Sequence, residues 1–137
     1  MKWEFKSGIP IYLQIITMMK LKIASGELPP GNQIKPVREL AMEAGVNPNT
    51  MQRALTQLEQ EGLLFTLRTS GRFVTENQKV LKEMRRSLSE QYVGELFETL
   101  GKLGMDRSEI IEAVSAYSAA PGSDAPVSGS KEGSEKE

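Results

Sequence analysis

Apolar residues recur at helical spacing in five stretches of this chain, with a short alternating stretch between the third and the fourth. From Pro10 to Ala24, Tyr12, Ile16, Met19 and Ile23 form one row and Ile11, Ile15 and Met18 another, so this helix is expected to be buried on two sides. A shorter helix is expected from about Pro36 to Ala44, with Val37, Leu40 and Ala41 inward and Gly45 ending it. Val46–Gly62 follows. There Asn47 suits the N-cap, Pro48 suits the first helical position, and Met51, Ala54, Leu55 and Leu58 recur at i, i+3, i+4 and i+7. Gly62 closes that helix, as glycine commonly does.

Past Gly62, Leu63, Phe65 and Leu67 alternate with Leu64, Thr66 and Arg68, a strand pattern. Thr69-Ser70-Gly71 makes a compact turn and Arg72-Phe73-Val74 a return strand. Lys2 to Phe5 also alternates, which would put Trp3 and Phe5 on one face of a short strand. Residues 76–103 carry a long stripe through Leu81, Met84, Leu88, Tyr92 and Leu96, broadened by Val80, Val93, Phe97, Leu100 and Leu103 and weakened by Gly94 and Gly101. Asp106 and Glu109 have capping-box spacing before a last helix with Ile110, Ile111, Val114 and Tyr117 inward. After Ala120 the chain has no aromatic residue and one Val, too little apolar surface to offset its ordering entropy.

The pattern therefore predicts a mainly α chain with a small β-hairpin. An N-terminal winged helix-turn-helix spans 1–75, a C-terminal α-helical segment spans 76–119, and a disordered tail spans 120–137. In a helix-turn-helix the first helix braces the second against a duplex. The outer face of the second helix carries Asn49, Gln52, Arg53 and Thr56. Their donors and acceptors match the edges that bases present in a major groove, although an ordinary solvated face has the same composition. Arg68 and Arg72 flank the hairpin turn, where cations can reach phosphates or a minor groove.

Composition removes most other chemistry. The 137 residues include no Cys and no His, which excludes disulfides, zinc sites built on thiolate or imidazole, and Cys or His nucleophiles. No glycine-rich phosphate loop is present, and Asp106 and Glu109 are accounted for by capping, so an enzyme is not expected, nor a metal or cofactor. No apolar run approaches the roughly 20 residues that span a bilayer, and MKWEFKSG lacks a signal peptide's apolar core, so a cytoplasmic protein is expected. The net charge of −1 hides a front of nine Lys and Arg against six Asp and Glu in residues 1–75, a surplus of +3. Residues 76–119 and 120–137 carry −2 each. A mildly basic front is compatible with nucleic acid without demanding it.

The segments GIPIYLQI, SGELPPG, VRELA, VNPNTMQRALTQLEQEGL and RTSGRFV resemble, in order and spacing over nearly all of residues 8–75, the GntR family of bacterial transcription regulators. The two-helix C-terminal part is similar to the YtrA-type subfamily, which implies dimerisation through that part and control of a neighbouring transporter-type operon. The resemblance implies DNA contacts by Arg38, by Asn49, Thr50 and Arg53, and by a wing tip at Gly71 with its flanks. The candidate DNA-binding set is therefore Lys35, Arg38, Asn47, Asn49, Thr50, Gln52, Arg53, Arg68, Ser70, Gly71 and Arg72. Two positions depart from the family pattern. Lys35-Pro36 stands where Pro-Ser is common, removing a capping hydroxyl, and Thr69 replaces the first glycine of the wing.

The expected function is a dimeric repressor on a pseudo-palindromic operator, with helix 47–61 in the major groove and wing 66–74 at the minor groove. An unidentified small-molecule effector would sit between subunits. The competing reading is a winged-helix protein-interaction module without a specific DNA target.

Overall fold

A computed structural model describes residues 2–120. The tail expected from residue 120 lies, from residue 121 onward, outside the described residues. Helices α1 (Ile11–Ala24), α2 (Val37–Ala44) and α3 (Pro48–Gln60) are followed by strands β1 (Leu64–Leu67) and β2 (Gly71–Val74). Helices α4 (Gln78–Gly101) and α5 (Arg107–Ala119) complete the order. The chain forms two compact units, one ending at Met84 and the other beginning at Arg85. Helix α4 runs without interruption through Gly94.

In the first unit α3 is central, packing against α1, α2 and β1. Its stripe of Met51, Ala54, Leu55 and Leu58 is wholly buried, together with Ile15, Met19 and Ile23 of α1 and Leu40 and Ala41 of α2. The two prolines at helix starts sit one step earlier than expected. Pro10 and Pro36 are N-caps in extended conformation, and neither contributes a side-chain cap. Gly45 ends α2 with φ +71°, the left-handed conformation that lets Val46 N–H reach back to the Ala41 carbonyl at 3.0 Å. Asn47 then opens α3, its side chain accepting from the Asn49 N–H at 2.7 Å. The helix–glycine–helix spacing thus becomes a helix-turn-helix.

The wing is an antiparallel hairpin in which Leu64 faces Val74, Phe65 faces Phe73, Thr66 faces Arg72 and Leu67 faces Gly71. The loop before α2 runs beside β2, with Ile34 N–H donating to the Arg72 carbonyl (3.0 Å) and Val74 N–H to the Asn32 carbonyl (2.9 Å). Leu63 and Leu64 are both buried, while Phe65 and Leu67 are 40% and 48% exposed. Simple alternation did not anticipate this: Leu63 precedes the ladder, and Leu64 and Val74 supply the strands' buried pair. The Phe65 and Phe73 rings instead stack on each other at 5.7 Å. Lys2 to Phe5 is not a strand. A strand that short needs a neighbouring ladder. Trp3 and Phe5 nevertheless share a side, their rings stacked at 6.4 Å, with the Lys22 ammonium 4.8 Å from the Trp3 centroid.

In the second unit the Asp106 capping box is complete. Asp106 Oδ1 accepts from Glu109 N–H, and Glu109 Oε1 accepts from Asp106 N–H, each at 2.9 Å. Of the apolar stripe on α5 only Ile110 is buried. Ile111, Val114 and Tyr117 are exposed, as are Val93, Leu96 and Leu103.

Candidate nucleic-acid interface

Burying the apolar stripe of α3 turns its other face outward. Asn49, Gln52 and Arg53 are exposed there, and Thr50 and Thr56 are half-buried. The Gln52 amide donates to Thr56 Oγ1 at 3.2 Å, which leaves its carbonyl oxygen open to a further donor. The Arg53 guanidinium lies 3.6 Å from the ring centroid of Tyr12 on α1. Stacking fixes the plane of the guanidinium while its N–H edge stays accessible, the geometry suited to a guanine edge or a phosphate. Asn47 is committed through Oδ1 to the cap.

Arg38 occupies the first turn of α2 and is exposed. Lys35 precedes that helix and pairs closely with Glu43 near its end. The Glu43 carboxylate raises the Lys35 amine above its ordinary value, and the Lys35 ammonium lowers the Glu43 carboxyl. Both side chains are largely exposed. Exposed pairs of this kind contribute little, so Lys35 can exchange its partner for a phosphate.

Wing-tip geometry depends on Gly71 and Gln33. Gly71 has φ +111°, and a Cβ there would lie 2.8 Å from Gln33 Nε2, which donates to the Ser70 carbonyl. A side chain at position 71 would therefore be strained by the backbone conformation and would displace the Gln33 amide from the Ser70 carbonyl. A cleft of about 470 Å³ separates this tip from the start of α2, lined by Gln33, Lys35, Pro36, Ser70, Gly71 and Arg72 among others. The two wing arginines differ. Arg68 is exposed and has no ion pair among the described residues. Arg72 is half-buried against Glu59 of α3.

Three residues of this surface escaped sequence reasoning. Tyr12 reads as core, Gln33 as loop, and Glu59 as a solvated helix position. Their partners lie 7 to 41 positions away in sequence, and no local signal marks such pairings. Among the described residues no cluster of His, Cys, Asp or Glu can hold a metal ion. Nor is any described helix long and apolar enough to cross a membrane.

The family model for bacterial regulatory proteins of the gntR family matches residues 11–74, which is α1 through the end of the wing. The chain is 35% identical over 115 residues to the HTH-type transcriptional repressor YtrA of Bacillus subtilis, covering 83% of this chain and 88% of that protein. A GntR family transcriptional regulator from Listeria monocytogenes has a similar structure, with a TM-score of 0.72 and 32% identity over 81% of this chain and 97% of that one. The DNA-binding domain of AraR, solved in complex with operator ORX1, matches with a TM-score of 0.50 and 27% identity over 55% of this chain and 99% of that one. The fold, the outward polar face of α3 and these likenesses agree: the chain belongs to the GntR family, YtrA type, and is a sequence-specific DNA-binding transcription regulator.

Proposed function

We propose that the protein acts in the cytoplasm as a homodimeric repressor of a pseudo-palindromic operator. One α3 from each subunit enters a major groove, with half-sites roughly 10 bp apart or a multiple of that. The observation that carries this reading is the front of α3, where Asn49, Gln52 and Arg53 are exposed, beside a half-buried Thr50, on a braced helix. Arg38 and Lys35 add cations at the start of α2, and Arg68 with the backbone of Ser70 and Gly71 reaches the minor-groove side. The AraR DNA-binding domain, which matches this fold and was solved in complex with an operator, supports operator DNA as the partner. Likeness to a protein described as a repressor supports negative control, and the subfamily resemblance supports a neighbouring transporter-type operon as target.

The test is a salt titration of binding to duplex DNA taken from upstream of the protein's own gene. Log affinity is expected to fall with log salt at a slope of about −0.9 per phosphate contact. A flat response, or no binding at low salt, would favour a protein-interaction module instead.

Dimerisation is assigned to the second unit because its apolar face is left open: Tyr117 and Leu103 are each 72% exposed and Val114 is 45% exposed. Val114 and Tyr117, three positions apart on α5, share one face of that helix, and exposed apolar surface of this kind is a usual mark of a protein contact. The chain is expected to sediment as a dimer and the Val114→Glu, Tyr117→Glu variant as a monomer. A variant still dimeric would remove this role. A groove of about 420 Å³ on the same unit, lined by Val93, Phe97 and Arg107 among others, is where a second subunit would enclose a small-molecule effector.

A further inference from the structure

Thr66 and Arg72 face each other across the hairpin, so their side chains project on one side of the wing. On that side stands Glu59, on the last turn of α3. One of its oxygens accepts a close hydrogen bond from the Thr66 hydroxyl. The other lies 3.4 Å from Nη2 of Arg72, which donates to it, and 3.4 Å from Nε. The Arg72 Nε–H is buried and, although within ion-pair reach, makes no hydrogen bond. The Arg72 and Glu59 side chains are 18% and 26% exposed, so their charges are screened less than those of a surface pair.

We infer that Glu59 is a positioning residue for DNA binding: it pins both strands of the wing to the recognition helix and neutralises Arg72, which leaves Arg68 as the arginine through which the wing contacts phosphate. The inference rests on the proposed DNA-binding mode. The buried Leu64 and Val74 seat the base of the hairpin, and the loop before α2 holds β2 through Ile34 N–H on the Arg72 carbonyl and the Gln33 amide on the Ser70 carbonyl. The carboxylate adds a point at which both strands are fixed to α3 itself. It also removes one cation from the electrostatic footprint. The two wing arginines, indistinguishable in sequence, thereby acquire different work: Arg72 is the anchor and Arg68 the contact.

The experiment compares the full-length protein with its Arg68→Gln, Arg72→Gln and Glu59→Gln variants, each binding the same upstream duplex over a range of salt concentrations. Thermal melts establish that each variant is folded. Loss of one phosphate contact should flatten the log–log slope by about 0.9. Arg68→Gln is expected to do so and Arg72→Gln is not. Glu59→Gln keeps an acceptor for Thr66 but releases the charge of Arg72, and is expected to steepen the slope by up to about one contact. A slope flattened as much by Arg72→Gln as by Arg68→Gln would overturn the inference, because Arg72 would then itself grip phosphate. Should Arg72→Gln fail to fold, Glu59→Gln decides: a steeper slope supports the neutralising role and an unchanged one overturns it. Absence of any salt-dependent binding by the unaltered protein would instead strike at the DNA-binding mode, a result separate from these.

Discussion

Replacing Arg38 and Arg53 together with alanine is expected to weaken operator binding by about 2–6 kcal/mol, a loss of roughly thirtyfold to twenty-thousandfold, if each reads a base at about 1–3 kcal/mol. The two arginines sit on different helices, and neither carries an ion pair among the described residues. Near-additive losses are therefore expected from the single variants. Arg53 should be the larger contributor. Its guanidinium is already held flat on Tyr12, so less conformational freedom is lost when it docks. Arg38 has no such platform among the described residues. Both side chains are exposed, and Arg53→Ala also gives up its stacking on Tyr12, worth about 0.5–1 kcal/mol, so a melting temperature lowered by no more than that separates lost contacts from lost structure. Unchanged affinity in an operator-binding assay would remove both residues from the interface.

The largest stability effect is expected at Leu55. Its side chain is fully buried on α3, the helix that α1, α2 and β1 all pack against. Truncation to alanine removes the transfer energy of the lost carbons and leaves a cavity, about 2–5 kcal/mol in comparable cores. Whole domains are stable by only about 5–15 kcal/mol, so Leu55→Ala should remove a large share of the first unit's stability. Urea unfolding followed by circular dichroism would read this as a lower midpoint at similar slope. A loss below about 1 kcal/mol would mean that the shared core closes over the gap.

Arg53 and Leu55 both lie on α3, the element most legible in the sequence. Its limits are set by local signals, namely the Asn47 cap, Pro48 after it and Gly62 beyond it, and its stripe has an unambiguous period. The capping box of α5 was readable for the same reason. What the sequence withheld depended on pairings across long separations. Alternation over Leu63–Arg68 announces two faces without saying which one is covered. Only the hairpin register, with the core beneath it, leaves Phe65 and Leu67 outside. Glu59 looks like any surface glutamate until the register brings Thr66 and Arg72 to it. The C-terminal stripes were visible as helices, but periodicity carries no information about what covers a stripe, and much of this one is open.

Three residues join the wing to α4. Thr75 is buried, with its N–H on the Leu63 carbonyl at 2.9 Å and its hydroxyl accepting from Asn77 N–H at 3.1 Å. The Asn77 side chain in turn accepts from the N–H groups of Lys79 and Val80 at 3.0 and 3.3 Å. Mechanically this is a welded joint rather than a tether. A tether would let α4 swivel while the wing stayed still, whereas here the first turn of α4 can rotate only by dragging β2 with it or by breaking those bonds. A rotation imposed at the start of α4 is therefore opposed by bonds that are each worth about 1 kcal/mol.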